Sequence, residues 1–259
     1  MRDIFTEARK HIGFFSVCLV ILVGVSTFRE LLDSYKSITD VVWVFTVVLV
    51  PTATAFYVGA QIFMYLVLKN DTLVLKNDTL LQLSTHSHFR KYLVKTLPLA
   101  LGFISTGLFS LLASTTTWPE GQEASKTVIY AVCAKIISGA ALVSIAWVLG
   151  LAAARFKEFY LRLFIYMGGF ALIVGLQIAA LWKFSDLDSV GWVVGGSTSF
   201  AGYPVYCGPL GIALATPFTL SYSGAYVISI FLNTVWPIFG LLAIICAPSP
   251  KQKITHGVL

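Results

Sequence analysis

The chain has 259 residues, of which 57% are hydrophobic and only 12% charged, and its mean hydropathy is +0.83. Soluble domains carry roughly 25% charged residues, so there is about half the charge needed to coat a globule of this size, and a soluble fold is excluded. Spans of about 20 residues, six in number, would take close to half the chain and leave no room for a separate soluble domain.

Before the first apolar run, Ile4, Phe5, Ala8 and Ile12 recur at helical spacing against Arg2, Asp3, Glu7, Arg9 and Lys10. This is the pattern of an N-terminal interfacial helix lying on the membrane surface, the alternative being a charged flank that only fixes topology. Apolar runs then follow at about 12–28, 41–68, 94–114, 127–153, 160–182 and 222–246. They are continuous and do not alternate in ten-residue segments, which disfavours a transmembrane barrel. The expected fold is all-α: a polytopic membrane protein with six transmembrane helices in a single transmembrane domain, residues 1–259. No small-residue cleavage motif follows the first run, which reads as a span that stays.

Between the second and third spans, Val67-Leu68-Lys69-Asn70-Asp71-Thr72-Leu73 is repeated without change as Val74 to Leu80. The segment runs on to Arg90 and Lys91, giving an amphipathic, basic-ended helix or helix pair. The duplication is equally readable as an accident that lengthens the second span by about 10 Å. After the fifth span, residues 185–221 are apolar but broken at Gly195-Gly196, Gly202, Pro204, Gly208-Pro209, Gly211 and Pro217. The run Leu210 to Leu220 is too short to cross and is expected to form a re-entrant or interfacial hairpin, enclosed by protein or a water-filled cavity.

Lysine and arginine set the orientation. Of the 18, thirteen fall on one side: Arg2, Arg9 and Lys10; Lys69, Lys76, Arg90, Lys91 and Lys95; Arg155, Lys157 and Arg162; Lys251 and Lys253. Both termini are therefore expected in the cytoplasm, in a cell membrane, and the net charge of +6 reflects contact with inner-leaflet lipids and not with nucleic acid. The sequons at Asn70 and Asn77 fall on that same side and are expected to stay unglycosylated.

What is missing narrows the function. On these boundaries all 12 acidic residues and all four histidines lie outside the span centres. Ion-coupled carriers use an intramembrane carboxylate, so a secondary transporter is disfavoured, and no haem, zinc or protease site has residues to carry it. His86 and His88 stand at i and i+2 with no cysteine nearby. Cys18, Cys133, Cys207 and Cys246 are scattered singly, without metal or redox spacing. No catalytic residue and no metal ligand is expected. The polar groups left inside spans are Lys135, Gln61, Gln177 and Asn233. Interhelical bonding, or snorkelling for the lysine, explains them blandly; the sharper reading makes them a candidate translocation path.

The order of a surface helix, two spans, a cytoplasmic amphipathic element, and four spans with a hairpin before the last resembles the six-span permease subunits of ABC exporters of the antibiotic, lantibiotic and peptide efflux class. In that family a short cytoplasmic coupling helix between spans two and three docks into the ATPase. The residues that match are Thr79-Leu80-Leu81-Gln82-Leu83-Ser84-Thr85 followed by Arg90, Lys91 and Lys95, with Asp78 where glycine is usual and His86 where proline is usual. The resemblance implies that Thr79, Leu80, Leu81, Leu83, Ser84, Arg90 and Lys91 couple to a separate cytoplasmic ATP-binding subunit, which would hold ATP and magnesium. The chain itself has no phosphate loop and is not expected to be an enzyme. It further implies pairing with a second permease copy, as a homodimer or with a paralogue, and outward movement of a hydrophobic or amphipathic peptide, antibiotic or lipid-like substrate. The alternative is a six-span scaffold or passive channel with a different cytoplasmic partner.

Overall fold

The computed structural model describes residues 2–31, 36–67, 88–113, 122–184, 191–192, 203–206, 213–216 and 222–245. Six long helices account for nearly all of these: α1 (Arg2–Leu31), α2 (Lys36–Leu66), α3 (His88–Ala113), α4 (Gln122–Ala153), α5 (Phe159–Phe184) and α6 (Tyr222–Ile245). Within them, Asp3–Phe28, Leu49–Leu66, Phe89–Phe109, Val132–Ala153 and Phe159–Gln177 are long and apolar enough to cross a membrane, while the apolar stretch of α6, Ile230–Ile245, is shorter. Five such helices are consistent with a multi-pass membrane protein. The helices fall where continuous apolar runs predict them, because a backbone in hydrocarbon must satisfy its own hydrogen bonds and only the helix does so within one segment.

Packing is organised around α4, which contacts α2, α3, α5 and α6 and shares its most extensive interface with α6. Every residue from Ala141 to Trp147 is buried, as befits a helix that is apolar on all sides. Around it lie Val58, Ile62 and Phe63 of α2, Leu99 and Phe103 of α3, and Tyr166 and Phe170 of α5. The α4–α6 approach depends on Gly240. A Cβ there would lie 2.9 Å from the Ser144 Cβ and 3.4 Å from its Cα, so only glycine lets the backbones come this close. At the periphery the polarity inverts. Val17 and Val20 of α1, Phe164, Leu172 and Leu176 of α5, and Phe231 of α6 are all more than half exposed, a surface suited to lipid and not to water.

Two expectations are corrected. The N-terminal residues form no separate surface helix: Arg2–Leu31 is one uninterrupted helix, about 45 Å long at 1.5 Å per residue. Its first turns also face the opposite way from the amphipathic reading. Glu7 and His11 are buried, whereas Phe5 and Ile12 are 68% and 56% exposed. The rule that apolar side chains face inward holds against water; against lipid they are tolerated outside, and the polar groups are the ones that need protein partners. Second, the helical class holds, but the segment expected as a hairpin carries a small sheet. Gly191–Trp192 (β1), Tyr203–Tyr206 (β2) and Ala213–Thr216 (β3) form an antiparallel sheet in the order β1-β3-β2, with Tyr203 opposite Thr216 and Trp192 opposite Leu214. The segment expected as a hairpin over 210–220 thus contributes β3, and its partner β2 packs on α6 and α4. Glycine and proline break helical propensity throughout this stretch, and the short extended pieces between them pair instead.

A buried ionic cluster as the candidate functional site

The densest chemistry in the described residues lies where the starts of α1 and α3 meet α2. Lys95 of α3 donates to the Glu7 carboxylate of α1 at 2.7 Å, with both side chains under a tenth exposed. Lys10, one turn along α1, reaches the other oxygen of Glu7 at 2.8 Å. His11 places Nε2 3.6 Å from Glu7, and its Nδ1 lies 2.9 Å from the Tyr57 hydroxyl of α2. The Lys95 ammonium also sits 4.8 Å from the centroid of the Tyr65 ring, a cation–π distance. One carboxylate thus gathers three basic side chains from two helices. At the outer end of the same interface Arg90 donates to Asp3 at 2.9 Å, here with both groups about half exposed.

Local sequence explains the assembly. Glu7, Lys10 and His11 are spaced i, i+3, i+4 and share one face of α1, while Tyr57, Gln61 and Tyr65 recur every four residues along α2. Phe14 stacks on Tyr57 with ring centroids 3.9 Å apart, which fixes the tyrosine below its hydroxyl. A cavity of about 190 Å³ remains between the three helices, lined by Glu7, Lys10, His11, Tyr57, Gln61 and Lys95 and by apolar neighbours that include Met64.

A second polar tie lies at the same end of the bundle. Arg162, nine-tenths buried, donates from Nε to the Phe156 carbonyl at 2.6 Å and from a terminal nitrogen to the Val67 carbonyl at 3.1 Å. It caps the C-terminal end of α2, where carbonyls lack helical partners, and joins it to the turn between α4 and α5.

Of the four polar residues expected inside spans, Gln177 and Asn233 come together, while Gln61 and Lys135 lie elsewhere. Gln61 lines the cavity. Gln177 of α5 donates to Asn233 of α6 at 3.3 Å, both side chains buried, and its own Oε1 has no partner among the described residues. Lys135 of α4 is buried and runs its stem past Gly107 of α3. Of the residues expected to couple to a partner, Arg90 is engaged by Asp3 and Lys91 is part-buried on the first turn of α3. Thr79, Leu80, Leu81, Leu83 and Ser84, the duplicated heptad beyond Val67 and both sequons lie outside the described residues.

The sequence reading missed Glu7, Lys10, His11, Tyr57 and Lys95 as a unit, having placed Glu7 and His11 outside the membrane. A signal was present. An acid, a lysine and a histidine on one helical face, opposite exposed phenylalanine and isoleucine, mark the face that turns inward in a lipid-facing helix.

The class that this fold defines is a multi-pass membrane protein whose first three helices are pinned at one end by buried charge. Comparison of the chain with protein-family models, with curated proteins and with solved structures finds no match.

Proposed function

We propose that the chain is the membrane-spanning permease subunit of an ATP-driven exporter, moving a hydrophobic or amphipathic substrate outward and powered by a separate ATPase. In this reading α6, about 36 Å long by helix rise, is the sixth span, both termini are cytoplasmic, and two copies or a pair of paralogues form the transporter. The β1–β3 segment caps the outer end, since open sheet edges need protein or water around them.

One observation carries the proposal. The segment between α2 and α3, in which the resemblance locates the coupling helix, leaves and re-enters the bundle through rigid ties. Its entry at Val67 is held by Arg162 of α5, and its exit along α3 is held to α1 by Arg90–Asp3 and Lys95–Glu7. A push on the segment would therefore reach α1, α2, α3 and α5 together, which is what a subunit driven from outside requires. The ties draw on three of the four lysine- and arginine-rich segments, those at the starts of α1 and α3 and at the α4–α5 turn, which supports placing these three on one side of the membrane.

The test is purification of the full chain from its own host in mild detergent. An ATPase subunit with a phosphate loop should co-purify, and replacing Leu80, Leu81 and Leu83 by aspartate should release it while the permease stays monodisperse. Retention of the ATPase by that variant would refute the coupling assignment; absence of any ATPase from the wild-type preparation would favour a scaffold or passive channel.

A further inference from the structure

The cavity between α1, α2 and α3 has no role in the coupling scheme. Its volume of about 190 Å³ lies below the roughly 300–1,000 Å³ of sites that enclose drug-sized ligands, so a peptide or antibiotic cargo does not fit within it. It has room for about six waters at roughly 30 Å³ each, which is the scale of a phosphodiester and a small polar substituent. The lining contains two ammonium groups, Lys10 and Lys95, against the single carboxylate of Glu7, with the His11 imidazole, the Tyr57 hydroxyl and the Gln61 amide beside them. With His11 neutral its formal charge is positive.

Position and rim decide the source of the anion. Glu7 is five residues from the start of α1 and Lys95 seven from the start of α3, within about 10 Å of the helix ends by axial rise. With the helix ends at the membrane surface, that depth would correspond to the boundary between headgroups and hydrocarbon. At the rim, Met64 is 40% exposed and the Lys10 side chain equally so, so the cleft opens on the exterior of the bundle, between a cation and an apolar side chain. A free phosphate would use only the first of these.

We infer that this cavity is a binding site for the phosphate headgroup of an anionic phospholipid, which enters laterally between α1 and α2 while its acyl chains stay in the bilayer. Buried ionisable clusters in membrane proteins mark functional positions, and basic pockets between spans at the cytoplasmic face suit anionic headgroups. The inference requires that the chain is a multi-pass membrane protein with this end of the bundle at the headgroups of the cytoplasmic face, and it stands or falls separately from the export reading.

Native mass spectrometry of the full chain in detergent tests it, with phosphatidylglycerol and phosphatidylcholine as competing single-lipid ligands and Lys10→Gln and Arg9→Gln as variants. Arg9 is an exposed neighbour that does not line the cavity. The wild type should prefer phosphatidylglycerol. Lys10→Gln should weaken that binding about fivefold, the equivalent of roughly 1 kcal/mol per basic residue facing an anionic lipid, and Arg9→Gln should change it less than twofold. Equal loss in both variants, equal affinity for the two lipids, or full displacement of phosphatidylglycerol by millimolar inorganic phosphate would each overturn the assignment. Both variants alter exposed side chains, so monodispersity by gel filtration suffices to show that the fold is intact.

Discussion

Removing Glu7 and removing Lys95 should have unequal effects, and the inequality follows from the geometry. Glu7→Gln takes the carboxylate charge away from the Lys95 ammonium, which is only 7% exposed and lies 4.8 Å from the Tyr65 ring centroid. Breaking a buried pair by removing one partner is destabilising by about 3–5 kcal/mol. Lys95→Met leaves the carboxylate with Lys10 at 2.8 Å and His11 at 3.6 Å, so the charge remains partnered and the loss should be nearer 1–3 kcal/mol, that of a broken charged hydrogen bond. The double variant removes both members of the pair and should be more stable than Glu7→Gln alone. For a chain of this size 1 kcal/mol shifts the melting temperature by about 2–4 °C, so Glu7→Gln should melt roughly 6–20 °C below the wild type when unfolding is followed by intrinsic fluorescence in detergent. A double variant less stable than Glu7→Gln, or a Lys95→Met loss larger than that of Glu7→Gln, would refute the reasoning.

Arg162→Met should lose both carbonyl bonds, each worth about 1.5–3 kcal/mol for a charged donor, whereas Arg162→Lys keeps one and should retain about half of the melting temperature lost by the methionine variant; equal losses would mean that packing and not bonding sets the effect. Gly240→Ala should destabilise by about 1–3 kcal/mol through overpacking against Ser144, while Gly175→Ala on α5, where a Cβ meets nothing within 4 Å, should be neutral or gain up to about 1 kcal/mol of helix propensity. Parallel thermal melts of the two alanine variants check this, and matched shifts would contradict the close α4–α6 approach.

The helices were legible because hydrocarbon imposes a length and an unbroken run of apolar residues, and 94–114 or 160–182 differ from α3 and α5 by only a few residues at each end. The start of α1 was not, because its amphipathic pattern has two solutions of opposite sense. The same wheel of Phe5 and Ile12 against Glu7 and His11 describes a helix lying on a membrane and a helix standing in one with its polar face turned to protein. What separates them is the partner, and Lys95 stands 88 residues away, beyond anything that local periodicity conveys. Gln61 was picked out singly, yet its place in the Tyr57-Gln61-Tyr65 stripe is what makes it part of a cavity. The strands of the 185–221 segment escaped notice because their runs of two to four residues are too short for a period of two to register.

The inward-facing charges of α1 also bear on how the molecule is made. Synthesis proceeds at about 5–20 residues per second, so Glu7 is incorporated some 4–18 s before Lys95, which stands 88 residues later. During that interval a helix committed to the bilayer would carry an acid whose interhelical counterion has not been translated. Until α3 is made, the only partners the carboxylate has within its own helix are Lys10 and His11, and the tie between α1 and α3 completes the cluster once Lys95 is in place.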